Sequence, residues 1–207
     1  MSRVRVYIDG FNVYHAISDL GESKLKWLNH YELAVTFLRQ GEVLEEVNFF
    51  TAVLFWDAEK QRRHVNYLNA LRASSVNVHE ANFKKSKKYC RKHDRYCKFH
   101  EEKQTDVAIS VKIMSDVMNS NVDRVILVTA DSDQIPTAKT IVDHPNVTMT
   151  VVFPPGRKKA ARDLGSIVDS KNRLELTAGR LRACTLPRTV YHPDGTTAAT
   201  MPALYAV

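Results

Sequence analysis

The sequence predicts an α/β fold with a mostly parallel central sheet. Short branched-apolar runs, which are typical of strands, alternate with amphipathic segments, which are typical of helices, and this spacing indicates βαβ units. Only seven glycines and seven prolines occur among the 207 residues, which disfavours long disordered stretches. A chain of this length can form one ample core, or one domain with a short appendage.

The first strand is predicted from the alternating run at 4–8, which stops at Asp9 and Gly10. Asp9 is therefore expected at the carboxyl end of a strand. Further strands are predicted at 47–55, 76–83, 122–129, 147–153 and 173–176. Helices are predicted at 12–19, 31–39, 106–118, 134–142 and 160–168, and also from the capping residue Asp57 to about residue 73.

Two stretches fall outside this alternation of strands and helices. Residues 84–103 are dense in charge, cysteine and histidine, and we interpret them as a basic excursion from the domain. Residues 180–207 contain Pro187, Pro193 and Pro202 and are predicted to form an irregular tail that packs on the body. The predicted organisation is one domain over 1–179, which contains the excursion, and a C-terminal tail over 180–207.

The charge balance favours a polyanionic partner. The formal net charge is +7, which suits nucleic acid, although many soluble proteins are basic without binding one. No apolar run approaches the ~18 residues of a membrane-spanning helix, and the first residues enter a strand directly, so neither a membrane partner nor a signal peptide is expected. Three cysteines disfavour a disulfide framework. The expected location is the cytoplasm.

Aspartates recur where predicted strands end or helices begin. Asp9 ends the first strand, Asp131 and Asp133 follow the strand at 122–129, and Asp106 opens a long helix. Each could simply cap a helix or match its dipole, but capping does not explain why a strand-end aspartate recurs. Carboxyl ends of parallel strands meet at one sheet edge, and acids gathered there need a cation. Mg²⁺ or Mn²⁺ suits oxygen ligands, and a pair of such ions about 3.5–4 Å apart is a common arrangement for phosphodiester cleavage.

Three segments resemble the NYN family of PIN-like ribonucleases. They are Ile-Asp-Gly-Phe-Asn at 8–12, Glu-Lys-Gln-Thr-Asp-Val-Ala at 102–108 and Thr-Ala-Asp-Ser-Asp at 129–133, in the family's order. The turn Phe-Pro-Pro-Gly-Arg at 153–157 is also similar to one common in bacterial members. The resemblance covers about residues 3–176 and implies a PIN-like three-layer α/β/α sandwich that cleaves RNA, with single-stranded RNA as the expected partner.

The resemblance also implies roles for individual residues. The acidic positions that would hold Mg²⁺ or Mn²⁺ and act in catalysis are Asp9, Asp106, Asp131 and Asp133. Asp116 matches a further frequent acid, and Ala130 stands where many members carry glycine. Among the candidate substrate-binding residues Asn12, Lys103, Ser132 and Arg157, the resemblance implies the role of Asn12. Lys103 and Arg157 flank the predicted site and could hold phosphates, although a solvated run of charges is the alternative. Phe11 and Tyr14 could stack a base, although core packing is the alternative for Phe11.

The excursion contains a second pattern that could bind a metal. Its two cysteines and two histidines, Cys90, His93, Cys97 and His100, could surround a structural Zn²⁺ ion. Their order departs from the common zinc-finger spacing, and the alternative is a basic loop in which these residues are incidental.

The hypothesis that follows is a metal-dependent ribonuclease. One alternative is a non-catalytic RNA-binding module, which would bind RNA with a strong salt dependence but show no metal-dependent cleavage. The other is a metal-dependent phosphohydrolase, which would act on nitrophenyl phosphate rather than on oligonucleotides.

Overall fold

The computed structural model of the protein describes residues 1–91, 94–119 and 121–206, and of residues 88 and 98–103 it describes the backbone alone. The strands are β1 (Ser2–Asp9), β2 (Glu42–Ala52), β3 (Asn77–Cys90), β4 (Arg95–Lys103), β5 (Arg124–Val128), β6 (Thr148–Phe153), β7 (Arg173–Glu175), β8 (Thr189–Tyr191) and β9 (Thr197–Thr200). The α-helices are α1 (Gly10–Asp19), α2 (His30–Val35), α3 (Ala58–Ala73), α4 (Thr105–Met118), α5 (Ile135–Val142), α6 (Arg162–Ile167) and α7 (Ala178–Ala183). Of the helices so described, none combines the length and apolar character that crossing a bilayer requires.

Seven strands form one sheet in the order β4-β3-β2-β1-β5-β6-β7. All neighbours in this sheet pair in parallel except β3 and β4, which are antiparallel. The chain moves outward from β1 to β3 on one side and from β5 to β7 on the other, so the strand order reverses between β1 and β5. In an open parallel sheet such a reversal creates a crevice at the carboxyl ends of the strands.

Helices cover both faces of the sheet, and the side chains of β1 alternate between the two cores that result. Val4, Val6 and Ile8 join a core that includes side chains of α1, α2, α3 and α7. Tyr7 faces the opposite core, which includes side chains of α4, α5 and α6. The predicted α/β fold with a mostly parallel sheet between helical layers is confirmed.

Helix α1 begins directly at the end of β1, and Gly10 allows this close approach. A Cβ atom at Gly10 would lie 2.6 Å from the carbonyl oxygen of Phe50 and 2.5 Å from the ring of Phe49. Only a residue without a side chain fits between the start of α1 and β2 here. Asp9 caps the helix, since its carboxylate accepts a hydrogen bond from the backbone N–H of Asn12 at 3.0 Å.

The basic excursion is a β-hairpin rather than a loop. Strand β3 continues to Cys90 and pairs with β4 from Asn82↔Lys103 to Cys90↔Arg95. Its lysines Lys84, Lys85 and Lys87 are exposed. These strand residues lack the apolar alternation of a half-buried strand because this part of the hairpin extends away from both cores.

The C-terminal region is more regular than the irregular tail that the sequence predicted. It contains α7, the antiparallel pair β8–β9 and a 3₁₀ turn at Ala203–Tyr205. Leu181, Leu186 and Val190 belong to the same core as β1, and the indole N–H of Trp27 donates to the carbonyl of Pro187 at 2.9 Å. Strands of three or four residues are too short for alternation to be visible in the sequence.

Candidate metal centre

Three carboxylates from distant parts of the chain meet at the crevice between β1 and β5. Asp9 ends β1, Asp131 follows β5, and Asp106 lies in the first turn of α4. One carboxylate oxygen of each lies within 4.8 Å of the other two. These side chains line a small pocket of about 110 Å³, which we call the acidic pocket, together with Phe11, Asn12, Gln104 and Thr105.

Hydrogen bonds through Thr129 fix Asp9 and Asp131 relative to each other. The second oxygen of Asp9 accepts a hydrogen bond from the hydroxyl of Thr129 at 2.9 Å. The Thr129 oxygen in turn accepts one from the N–H of Asp131 at 3.1 Å. The side-chain carbonyl of Asn12 accepts one from the N–H of Ala130 at 3.0 Å. The ends of β1 and β5 are therefore tied together at the site.

Asp106 is positioned by the start of α4. Gln104, which precedes the helix, adopts a left-handed backbone with φ of 79°, an uncommon conformation for a residue other than glycine. The side-chain amide of Gln134 and the hydroxyl of Ser110 both donate to the backbone carbonyl of Asp106, at 3.1 and 2.8 Å. The Gln134 contact joins the first turn of α4 to the segment that follows Asp131.

The electrostatics of the acidic pocket favour a bound cation. Burial raises the pKa of Asp9 to about 6, and the charges of Asp106 and Asp131 add to this rise, while hydrogen bonds from Asn12 and Thr129 oppose it. The pKa of Asp106 is also raised, by burial and by the charges of Asp131 and Asp133. Mutual repulsion and burial both penalise the charged carboxylates. Oxygen ligands in such a group fit a hard divalent ion such as Mg²⁺ or Mn²⁺.

Asp133 lies outside the group of three carboxylates that the described residues form. It is exposed in the turn Ser132–Gln134, and its backbone N–H donates to the carboxylate of Asp131 at 2.9 Å. Ser132 is exposed beside it. A metal-binding role for Asp133 and a substrate-binding role for Ser132 stay predictions.

Of the other predicted substrate-binding residues, the structure describes the side chains of Asn12 and Arg157 but not that of Lys103. Asn12 lines the acidic pocket. Arg157 follows β6 and forms an exposed ion pair with Asp19, which leaves its contact with substrate a prediction. The side chain of Lys103 lies outside the described residues, so its role in substrate binding stays a prediction.

The predicted zinc site also falls partly outside what the structure describes. Cys90 and Cys97 lie on neighbouring strands of the hairpin, but His93 and the side chain of His100 are not among the described residues. The four-residue zinc site therefore stays a prediction.

Asp116 lies apart from the acidic pocket, about 15 Å further along α4. Its carboxylate accepts a hydrogen bond from the hydroxyl of Tyr7 at 2.6 Å and contacts Lys112 and Arg5, both at 2.8 Å. Burial by itself would raise the pKa of Asp116, but these hydrogen bonds and positive charges lower it. Asp116 therefore belongs to a charge-compensated cluster rather than to the acidic pocket.

A larger cleft of about 450 Å³ adjoins the acidic pocket, and Phe11 lines both. We call it the aromatic cleft, because its lining includes Phe11, Phe49, Trp56, Tyr67, Phe83 and His30. Sequence reasoning identified Phe11 and Tyr14, which also lines the cleft, as possible base-stacking residues but missed the cleft itself. It also missed Thr129, whose hydroxyl links Asp9 to Asp131. The position of Thr129 at a strand end, two residues before Asp131, could have indicated this role.

Comparison with known proteins identifies the family. A model of the NYN domain matches residues 3–171. The chain belongs to the NYN domain family. This family is one of PIN-like nucleases, so the resemblance seen in the three acidic segments is confirmed. In this NYN protein the acidic pocket lies within the matched residues.

Two individual proteins are similar to this chain. The 6-hydroxy-3-succinoylpyridine 3-monooxygenase of Pseudomonas putida is 27% identical over an alignment 225 residues long, gaps included, which covers 91% of this chain and 71% of the relative. A crystal structure of a protein of unknown function from Vibrio parahaemolyticus has a TM-score of 0.56 and 19% identity, covering 86% of this chain and 94% of that one. The Vibrio structure supports the fold alone.

Proposed function

We propose that this NYN protein is a metal-dependent ribonuclease that hydrolyses RNA phosphodiester bonds at the acidic pocket. The observation that carries the proposal is the convergence of Asp9, Asp106 and Asp131 within 4.8 Å in a chain of a nuclease family. A Mg²⁺ or Mn²⁺ ion held by these oxygens would supply a water of lowered pKa and a counter-charge for the reacting phosphate.

The protein's contribution would be to hold the ligand set in place before substrate arrives. Thr129 ties Asp9 to Asp131, and Gln134 ties the start of α4 to the same loop. Such preorganisation avoids rearrangement during the reaction. Asn12 has its side-chain carbonyl occupied by Ala130, so its amide group would offer hydrogen-bond donors to a phosphate oxygen.

A single-stranded RNA would follow the basic hairpin to the acidic pocket. Strand β4 leads directly into Gln104 and Asp106, so the exposed Lys84, Lys85 and Lys87 lie on a hairpin continuous with the site. Lysines placed in this way hold phosphates without reading sequence, and binding should weaken steeply with salt. An RNA substrate agrees with the cytoplasmic location that the sequence predicts.

Cleavage of labelled single-stranded RNA tests the proposal. Wild-type protein should cleave with Mn²⁺ and lose activity in EDTA. Asp131→Asn should lower the rate on the order of 100-fold or more. The matched control is Asp143→Asn, which changes an exposed aspartate at the far end of α5 and should leave the rate within about twofold. Equal rates for wild type and Asp131→Asn would overturn the proposal, and salt-sensitive binding without cleavage would favour an RNA-binding module.

A second candidate function is the binding of a free heteroaromatic compound. The Pseudomonas relative is named for a substituted pyridine, and the aromatic cleft of this chain has room for a ring of that kind. Quenching of tryptophan fluorescence by a pyridine carboxylate, with RNA remaining uncleaved, would favour it. Hydrolysis of nitrophenyl phosphate in place of RNA would instead favour a phosphohydrolase.

A further inference from the structure

The aromatic cleft has the size and lining of a ligand site. Its volume of about 450 Å³ lies within the range of small-molecule sites, which are typically apolar with a few polar groups. Its polar side chains include His64, which is hydrogen-bonded to Thr51 at 3.3 Å, and His30. The cleft therefore combines aromatic surface with groups that can recognise a polar ring edge.

One wall of the cleft is built from three rings in contact. Phe83 meets Phe11 at a centroid distance of 5.6 Å and Trp56 at 4.8 Å, both edge to face. Trp56 is 46% exposed, so this wall begins at the surface. Aromatic side chains of this kind are the platforms on which single-stranded nucleic acids stack their bases.

His30 provides an observation independent of the aromatic lining. It is 2% exposed, and burial lowers its pKa to about 3, so the ring is neutral. Its Nδ1 atom is buried without a hydrogen-bond partner among the described residues. A buried polar atom left unpaired is costly. Because His30 also lines the cleft, a small shift of its ring on ligand binding would let a donor or acceptor of the ligand pair with Nδ1 and relieve that cost.

The surroundings of the cleft favour a ring that carries a phosphate. Phe11 separates the cleft from the acidic pocket, and Lys26, Lys60 and Arg63 also line the cleft. Lys60 pairs with the residue that caps its helix and Arg63 with an acid of the same helix, whereas the Lys26 ammonium lies 5.1 Å from the ring centre of Tyr14. A nucleotide combines a flat ring with anionic groups, which matches this arrangement better than an uncharged aromatic compound.

We infer that the aromatic cleft binds one nucleobase of the RNA strand while a phosphate beside that base lies at the acidic pocket. The inference rests on the proposed function and specifies how its substrate is held. The base leaves the stack of its neighbours, enters beside Trp56 and Phe83, and presents a polar edge to His30. Cleavage then takes place next to an unstacked base.

A binding cycle with two single-stranded ligands tests this inference. One ligand is a labelled uridine hexamer, and the other is a hexamer of the same backbone and charge without bases. All proteins carry Asp131→Asn, which prevents cleavage, and binding is measured by fluorescence anisotropy without metal. We expect the base-free hexamer to bind about tenfold more weakly.

Removing the tryptophan should remove most of that difference. Trp56→Ala should reduce the tenfold gap to about threefold or less by weakening the hexamer with bases, and Trp56→Phe should restore much of it. The control Tyr191→Ala truncates an aromatic residue that is 57% exposed on β8 and should keep the tenfold gap. The retained fold of each variant is checked by circular dichroism.

Three outcomes would overturn the inference. Equal binding of the two hexamers by protein containing Trp56 would show that the cleft does not recognise a base. The proposed ribonuclease activity would then still be decided separately, by the Mn²⁺-dependent cleavage assay with the wild type. An unchanged gap in Trp56→Ala would place base recognition elsewhere. Binding of a free pyridine carboxylate with quenching of Trp56, alongside no binding of either hexamer, would assign the cleft to free aromatic compounds and would count against the ribonuclease as well.

Discussion

Asp106 and Asp116 lie on the same helix, α4, but their carboxylates have opposite surroundings. Asp116 is compensated by Lys112, Arg5 and a hydrogen bond from Tyr7, and its pKa is lowered. Asp106 faces Asp9 and Asp131, and its pKa is raised. A carboxylate neutralised by the protein itself contributes to the fold, whereas acids held together without a described cationic partner can still bind a metal ion.

The largest effect should come from breaking the compensated cluster. Asp116→Ala should lower the free energy of unfolding by about 3 kcal/mol, because it leaves the buried hydroxyl of Tyr7 without its acceptor and removes the least exposed carboxylate that contacts Lys112 and Arg5. Urea denaturation of wild type and variant measures the change. A loss below about 1 kcal/mol would show that Asp116 is not needed to compensate those charges, and the comparison of the two clusters would fail.

Metal should stabilise the protein through the acidic pocket alone. Mn²⁺ at about 100 times its Kd should raise the free energy of unfolding by about 2.7 kcal/mol, or the Tm by roughly 5–10 °C for a chain of this size. The shift should disappear in Asp131→Asn and persist in the control Asp116→Asn, as measured by differential scanning fluorimetry. A shift that survives Asp131→Asn would place the metal elsewhere.

Removing one repelling charge should stabilise the metal-free protein. The folded-state pKa of Asp9, about 6, lies above its ordinary value, so the wild type loses stability as the pH rises from about 4 through 6. The shift of roughly two pKa units is worth about 3 kcal/mol, and the neutral amide accepts the hydrogen bond from Asn12 less strongly than the carboxylate does. Asp9→Asn should therefore be about 2 kcal/mol more stable than wild type at pH 8 in EDTA and nearly equal to it at pH 4. The Thr129 hydroxyl can accept a hydrogen bond from the new amide. Urea curves at the two pH values provide the measurement, and a variant less stable than wild type at pH 8 would contradict the expected repulsion.

The smallest effect should come from the outer edge of the compensated cluster. Glu46 contacts Lys112 at 3.0 Å, but both side chains are partly exposed, and Lys112 retains Asp116. Glu46→Gln should therefore cost less than about 1 kcal/mol in the same urea experiment. A cost equal to that of Asp116→Ala would mean that compensation is shared across the whole cluster.

Local patterns predicted the parts of the fold that depend on local chemistry. The run that ends at Asp9, the helix opened by Asp106 and the turn after β5 follow from alternation, capping and strand-end placement. These rules place acids at one edge of a parallel sheet, and the structure brings Asp9, Asp106 and Asp131 together there. The fourth predicted acid, Asp133, lies outside that group because its side chain is exposed on the turn.

What the sequence did not reveal depends on residues far apart along the chain. The hydrogen-bond and ion-pair partners of Asp116 include Tyr7 and Arg5 on β1. No rule of sequence spacing links these two residues to Asp116. The aromatic wall likewise joins Phe11 to Phe83, a pair that meets only once α1 has packed beside β3. The hairpin at 84–103 escaped notice because its strand residues are charged, and alternation reports burial rather than strand pairing.

Gly10 couples the two halves of the proposed site. A side chain at position 10 would collide with Phe49 and the backbone of Phe50. Helix α1 can therefore start at this point only if residue 10 is glycine. The same start places Asp9 in the acidic pocket and Phe11 on the boundary that this pocket shares with the aromatic cleft. An alanine at position 10 would thus disturb metal coordination and base recognition together. A change that moves the start of α1 cannot alter one of these two functions without altering the other.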